Sequence, residues 1–159
     1  MNNLLRDRDG WSMDNCSIAR TFEIIGQRSA ILVLREAFFG ARRFDEFARR
    51  AGVGEPAIAT RLKELTADGL LERMPYQEAG QRTRYEYRLT MKGRALLPII
   101  TALRDWGDTW AADPAGPPLR AVHRDCEAPV HARLVCDHGH DVAPGELEMQ
   151  AGPGLIEAS

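Results

Sequence analysis

Two groups of side chains have types and spacings that could do chemistry. The first lies between residues 56 and 84, where basic and polar side chains suited to phosphate oxygens and base edges alternate with small ones. Its members are Pro56, Ala59, Thr60, Arg61, Lys63, Gln81, Arg82 and Arg84. The second consists of thiols and imidazoles, which can bind metals or react with oxidants: Cys16, His123, Cys126, His131, Cys136, His138 and His140.

The thiols of the last forty residues do not have the spacing of a common structural metal site. Neither Cys126 nor Cys136 belongs to a Cys-x-x-Cys pair. Zinc needs four well-placed ligands, and Cys136-x-His138-x-His140 is not one of its usual patterns. We therefore expect a metal-free, β-rich appendage and no cofactor, with a degenerate zinc-ribbon-like element as the alternative.

Enzyme motifs are missing from the sequence. It contains no glycine-rich phosphate loop, no paired carboxylates, no Ser/His/Asp arrangement and no zinc-protease motif. A nucleophile such as Cys136 would also need an orienting scaffold, which a short tail hardly provides. We expect that the protein is not an enzyme.

Composition is that of a globular protein of about one domain. The chain has 159 residues, of which 44% are hydrophobic and 28% charged. No stretch approaches the roughly 20 apolar residues of a membrane span, and the first ten residues lack the apolar core of a signal peptide. Three widely spaced cysteines do not make a disulfide framework, so we expect a cytoplasmic protein without membrane contact.

The net charge of −2 hides an asymmetry. Residues 1–112 carry 18 basic and 15 acidic side chains, whereas residues 113–159 carry 3 basic and 8 acidic ones. Phosphate attraction is local, so a mildly acidic protein can bind nucleic acid if one face is basic. The alternative is a solvated surface of mixed charge.

The elements that must position these groups follow from the hydrophobic periodicity. It predicts helices over 16–25, 28–39, 44–50, 55–68 and 91–112, the last bent at Pro98, and strands over 70–74 and 84–90. Residues 1–13 are expected to form a flexible arm, residues 113–118 a linker, and residues 119–159 an acidic extension with β-like runs at 119–124 and 130–135.

Two short helices around a glycine-containing turn, followed by a two-stranded ribbon, are typical of a winged helix-turn-helix. The fold class is therefore α+β and mainly helical, with a small β-rich C-terminal appendage. With Ile58, Leu62 and Leu65 inward, the first group of side chains lies on the outer face of helix 55–68 and in the loop of the ribbon. We expect them to bind double-stranded DNA. The alternative is a module that binds protein or RNA.

Several motifs between residues 14 and 112 resemble the HxlR-type winged-helix transcriptional regulators, relatives of the MarR group. They are Cys16, Ile25-Gly26, Ile31 to Arg35, Arg43 to Glu46, Arg61 to Leu65, Asp68 to Leu70, Tyr85 to Thr90 with Gly93, and Trp106-Gly107. Ser29, where members often have tryptophan, and Gly54 and Pro56, where polar residues are common, depart from the family pattern.

The resemblance implies a homodimer with paired terminal helices that presents two recognition helices to a pseudo-palindromic operator. We expect the dimer contacts at Ile18, Phe22, Leu96, Ile100, Leu103, Trp106 and Trp110, although Trp106 and Trp110 could instead cover the core of their own domain. We expect a repressor, because binding over a promoter excludes polymerase without further machinery.

Cys16 matches a cysteine that some family members use as a redox sensor. The partial positive charge at a helix start favours a thiolate, so Cys16 is a candidate sensor, with an inert core thiol as the alternative. The sequence does not identify an effector, either a small molecule or an oxidant.

Overall fold

The computed structural model describes residues 10–12, 14–77, 80 and 82–157. They form two compact units, one of residues 24–132 and the other of the described residues up to 23 and from 133 onward. The elements in chain order are β1 (Trp11–Ser12), α1 (Ser17–Ile25), α2 (Arg28–Phe38), α3 (Phe44–Arg50), α4 (Glu55–Ala67), β2 (Leu71–Tyr76), β3 (Arg84–Leu89), α5 (Met91–Arg94), α6 (Leu97–Trp110), a 3-10 turn (Pro144–Glu146) and β4 (Ile156–Glu157).

The core of unit 24–132 is built around α2. Its fully buried side chains include Val33 and Leu34 of α2, Phe47 of α3 and Leu71 of β2. From α4 it receives Ile58, Leu62 and Leu65, whose spacing of four and three residues places them on one side of the helix. The predicted inward face of this helix is therefore confirmed.

Helices α3 and α4 form the predicted helix-turn-helix. The N-terminus of α3 is capped by Glu46, whose Oε2 accepts the backbone N–H groups of Arg42 and Arg43 at 2.9 and 3.0 Å. The turn between the helices contains Gly52 at φ +69°, a left-handed conformation that favours glycine. Helix α4 then begins after Gly54 with Pro56 in its first turn.

Strands β2 and β3 form the wing, an antiparallel ribbon with the register Leu71↔Leu89 to Tyr76↔Arg84. The other edge of β3 is held by the segment before α3. The backbone N–H of Tyr87 donates to the carbonyl of Arg42 at 2.7 Å, and the ring of Tyr87 meets that of Phe47 edge-on. The wing is thus fastened to the helix-turn-helix rather than projecting freely.

A close backbone contact fixes the base of the wing to the end of α4. The Thr90 hydroxyl donates to the carbonyl of Gly69 at 2.6 Å and accepts the N–H of Gly93 at 3.1 Å. A Cβ atom on Gly93 would lie 2.1 Å from the carbonyl oxygen of Leu70. Only glycine fits this position without movement of the backbone.

The long helix predicted over 91–112 is wrong in one respect, because it is interrupted. The structure has α5 (Met91–Arg94) and α6 (Leu97–Trp110) in its place. Pro98 lies in the first turn of α6; it has no N–H for the carbonyl of Arg94 and its ring opposes a continuous helix there. The helix is therefore interrupted before Pro98 rather than bent at Pro98.

The C-terminal extension has less strand structure than its β-like runs indicate. Isolated bridges join Val122 to Pro129 and Val135 to Asp141, each closing a short turn, and the described residues beside them form no strand. In the other unit, β1 pairs antiparallel with β4. Of the arm predicted over 1–13, residues 1–9 and 13 lie outside the described part of the chain.

No helix among the described residues is both long and apolar enough to cross a membrane.

Candidate nucleic-acid interface

The outer face of α4 carries four of the predicted contact residues. Pro56, Ala59, Thr60 and Lys63 are all exposed. The Thr60 hydroxyl donates to the carbonyl of Pro56 at 2.9 Å, so its oxygen keeps lone pairs that can accept a hydrogen bond from a base. Lys63 makes no ion pair with any described residue. These four residues combine small side chains with a hydroxyl and one positive charge, a composition compatible with a helix in the major groove.

Arg61 lies differently from the other predicted contact residues of α4. Its side chain is only 14% exposed and forms an ion pair with Glu64 at 2.5 Å. The reason is its helical position, three residues after Ile58 and four before Leu65, which places it beside the buried face. To reach DNA, Arg61 would have to leave Glu64.

Two basic residues of the wing are available for a phosphate backbone. Arg82, which precedes β3, and Arg84, which opens it, are exposed. Neither makes an ion pair with a described residue. Gln81, the third residue predicted in this loop, lies outside the described residues.

Two arginines that were not predicted as contact residues stack on tyrosine rings. The guanidinium of Arg73 stacks 3.4 Å from the ring centroid of Tyr85, and that of Arg43 lies 4.6 Å from the ring centroid of Tyr76. Stacking fixes the plane of each guanidinium. The only sequence feature that could have indicated this stacking is the presence of both tyrosine and arginine in the two strands of the wing.

The electrostatics of α3 are set by its own cap. The backbone N–H groups of Arg42 and Arg43 hold the pKa of the Glu46 carboxyl below its ordinary value, with smaller contributions from the charges of Arg50 and Arg43. Glu46 also lies 3.5 Å from Arg50. This carboxylate therefore stays ionised at neutral pH, and Arg50 compensates its charge.

Large apolar side chains are exposed on α6. Ile99, Leu103, Trp106 and Trp110 follow one another at spacings of four, three and four residues and therefore lie on one face; Trp106 and Trp110 are 64% and 74% exposed. We call these four residues the α6 stripe. An exposed pair of tryptophans is unusual in a soluble domain and is typical of an interaction surface.

The other predicted dimer residues are found in different settings. Ile18 and Phe22 of α1 are 70% and 65% exposed. Leu96, by contrast, packs against the core, and Ile100 is half-buried. Ile99, which was not predicted, is exposed in their place.

A different face of α6 holds part of the C-terminal extension. Arg104 donates to the carbonyl of Val130 at 2.6 Å, and Asp105 accepts the N–H of Ala132 at 2.7 Å. The hydrogen bond from Arg104, followed by that from Ala132, holds the pKa of the Asp105 carboxyl below its ordinary value. His131 lies 3.6 Å from the same carboxylate. These contacts do not involve the residues of the α6 stripe.

The thiols lie in three settings. Cys16 is half-buried and immediately precedes α1. Cys126 is exposed with its Sγ 3.3 Å from Nδ1 of His123, and Cys136 is exposed. Within the part of the chain that the structure describes, no three His, Cys, Asp or Glu side chains are grouped as a metal site would require.

The sequence is similar to those of several known proteins. An uncharacterized HTH-type transcriptional regulator of Mycobacterium tuberculosis strain H37Rv is 40% identical over 140 residues, which are 87% of this chain and 87% of that protein. An uncharacterized HTH-type transcriptional regulator of Bacillus subtilis, YdeP, is 31% identical over 98 residues, 61% of this chain and 75% of its own. The first similarity therefore extends beyond the winged helix, whereas the second is of about its length.

Solved structures show the same fold. PA1607, a proposed transcription factor, superimposes with a TM-score of 0.77 at 33% identity over 87% of this chain and 96% of its own. The redox regulator HypR in its reduced form gives a TM-score of 0.52 at 30% identity over 58% of this chain and 90% of its own.

The model of the HxlR-like helix-turn-helix family matches residues 24–114, which contain α2 to α6 and the whole wing. It describes a domain of transcriptional regulators rather than of enzymes. Together with the mycobacterial relative, this match shows that the chain belongs to the HxlR-like helix-turn-helix family.

Proposed function

We propose that the chain is a homodimeric transcriptional repressor that binds a pseudo-palindromic DNA operator. The proposal rests on one observation. Helix α4 has an outer face of small and polar side chains, and the wing that follows it in the chain has two exposed arginines. Its relatives are named transcriptional regulators, which agrees with a surface built for nucleic acid.

In this proposal α4 enters the major groove. Thr60 contacts a base edge or a thymine methyl group, Pro56 and Ala59 allow close approach, and Lys63 contacts a base or a phosphate. Arg82 and Arg84 contact the sugar-phosphate backbone from the wing, together with Gln81. Arg61 contributes less, because its guanidinium is already paired with Glu64.

Selection of bound duplexes from a random pool tests DNA recognition. A two-fold symmetric consensus, with half-sites about one helical turn or a multiple of it apart, is the expected result. A folded protein that retains no duplex at low salt, including the DNA upstream of its own gene, would refute the proposal. Repression is tested by placing the selected operator over a reporter promoter, where transcription should fall.

The homodimer is supported by the α6 stripe. Leu103 and Trp106 are more than half exposed in the single chain, and covering them removes apolar area from water at roughly 25 cal/mol per Å². Gly107 lies among them, and a Cβ at that position would have no atom of the described residues within 4 Å outside its own helix. Since glycine inside a helix costs about 1 kcal/mol relative to alanine, a closely packed partner helix would account for it. Ile18 and Phe22 of α1 are exposed as well, and we propose them as further dimer contacts.

Sedimentation velocity of two charge-introducing variants tests the dimer. Leu103→Glu buries a carboxylate in the proposed interface and should produce monomers. Thr109→Glu adds the same charge to an exposed position of α6 outside the stripe and should leave the dimer intact. If the wild-type chain sediments as a monomer, or if both variants remain dimeric, the interface is misplaced.

We also propose that Cys16 is an oxidant-sensitive thiol. It is half-buried at the start of α1, and redox regulators are among the similar structures. With diamide and glutathione, the Cys16 thiol and glutathione would join in a mixed disulfide, while the diazene takes up two electrons and both thiol protons to become the hydrazine. Peptide mass spectrometry should find this adduct on Cys16, with a change in operator affinity that a Cys16→Ser variant lacks. An unmodified Cys16 and an unchanged affinity would end this proposal.

A further inference from the structure

The unit formed by the chain ends contains a cavity that the proposed DNA-binding function does not use. Its volume is about 730 Å³, within the roughly 300–1,000 Å³ of small-molecule sites. One wall is formed by β1 and the start of α1, and the other by residues 149–155 of the C-terminal segment. All the lining residues belong to one compact unit.

The cavity is framed by two long-range connections. Strand β1 pairs with β4 through Trp11↔Glu157 and Ser12↔Ile156. The side-chain amide of Asn15 donates to the carbonyl of Gly154 at 3.1 Å. Hydrogen bonds therefore hold the two walls together.

The chemistry of the walls selects a class of ligand. Trp11, Ile18, Met149 and Leu155 supply apolar surface, and none of the described lining residues is charged. The uncharged cavity lining contrasts with the C-terminal extension as a whole, which is acidic. An ionic ligand would lose its hydration without gaining a counter-charge, which is costly. A neutral apolar molecule with one or two polar groups would match, since Gln150 and the Cys16 thiol also lie in the lining.

We infer that this cavity binds a neutral, largely apolar small molecule and that the bound molecule covers Cys16. Binding at this site is independent of the proposed DNA contacts, all of which lie in the other unit. It gives the half-buried thiol a second property, namely protection by a ligand.

A pair of matched dyes tests the inference. N-Phenyl-1-naphthylamine is neutral, whereas 8-anilinonaphthalene-1-sulfonate has nearly the same aromatic body and a negative charge. The neutral dye should bind saturably with one site per chain, and the sulfonate should bind about tenfold more weakly or worse, equivalent to about 1.4 kcal/mol. Equal or tighter binding of the sulfonate would contradict the assignment.

Variants then locate the dye. Ala151→Phe fills the cavity from its wall and should weaken the neutral dye about tenfold, whereas Ala128→Phe adds the same ring at an exposed position elsewhere and should not. If Ala151→Phe fails to fold, Met149→Glu places a carboxylate in the wall at an exposed position and should have the same effect. Unchanged binding in the wall variants would place the dye elsewhere, for example on the α6 stripe.

Alkylation by N-ethylmaleimide provides an independent readout on the wild-type chain. The Cys16 thiol loses its proton, and its sulfur forms a bond to one carbon of the maleimide double bond. The other carbon of that double bond takes up a proton. With neutral dye at about ten times its Kd, Cys16 should react about tenfold more slowly, because about a tenth of the cavities remain empty. Cys126 and Cys136 should react at their usual rates. Equal protection of all three thiols, or of none, would overturn the inference and leave the DNA-binding proposal untouched.

Discussion

Replacement of Arg82 by alanine is the sharpest test of the wing as a contact to the DNA backbone. Arg82 is exposed and makes no ion pair with the described residues, so a contacted phosphate would gain its full charge. Each phosphate contact lowers the slope of log K against log salt concentration by about 0.9. A homodimer has two wings, and the Arg82→Ala variant should therefore have a slope about 1.8 less steep than the wild-type protein.

The change has a direct consequence for affinity. Between about 50 and 200 mM salt, a slope difference of 1.8 corresponds to about a tenfold difference in how much affinity is lost. Fluorescence anisotropy titrations of an operator duplex and a random duplex should show the same change of slope for both, since a phosphate contact carries no sequence information.

Arg88→Ala is the matched control. Arg88 lies on β3, the strand that follows Arg82, and its side chain is 46% exposed, but it is paired with Glu86, so the variant removes a charge that is already compensated. Its slope should stay close to that of the wild-type protein. Equal slopes for Arg82→Ala and the wild type would show that the wing does not contact phosphate. A loss confined to the operator duplex would mean that Arg82 reads bases instead.

Three further experiments test other parts of the structure. Lys63→Ala should weaken operator binding by about 1 kcal/mol or more, and Arg61→Ala by less because of its ion pair; gel-shift titration with the reverse order would contradict the assignment of the outer face of α4. Gly93→Ala should lower the free energy of unfolding by about 1–3 kcal/mol through overpacking. Gly145→Ala, whose Cβ would meet no atom of the described residues within 4 Å, should leave urea melts unchanged. Glu46→Gln should flatten the dependence of stability on pH: the lowered pKa of Glu46 stabilises the wild-type fold fully above its ordinary value of 4.5, and this stabilisation is lost as the pH falls through the lowered value. Denaturant titrations between about pH 3 and 6 give the free energy of unfolding at each pH. If it changes with pH equally in Glu46→Gln and in the wild-type protein, the role of the cap is contradicted.

The helix-turn-helix is the part of the fold that the sequence predicts best. The predicted helices 44–50 and 55–68 correspond to α3 (Phe44–Arg50) and α4 (Glu55–Ala67). Their limits are set by local chemistry, namely a capping glutamate, a proline in a first turn and glycines with positive φ at the turns. Such signals act within four or five residues and can therefore be recognised without the tertiary structure.

Helix α6 shows where periodicity fails. Leu96, Ile100 and Leu103 fall on one apolar face in the sequence, but Leu96 packs on the core and Leu103 is exposed. An apolar stripe wider than one contact can serve two surfaces, and the spacing alone does not divide it. The division depends on where α2 and the wing lie, which is tertiary information.

The proposed DNA-binding surface depends on contacts between residues that are far apart in sequence. Arg82 and Arg84 sit where they do because Thr90 bonds to Gly69 across 21 residues and because Tyr87 bonds to the segment before α3. No local pattern indicates either bond, although the family motifs contain their residues. It follows that a change such as Gly93→Ala should reduce DNA affinity only in proportion to the fraction of unfolded chain, with the salt slope unaltered. A change at Arg82 should alter the slope while the melting curve stays the same, so the two measurements together separate residues that hold the surface from residues that form it.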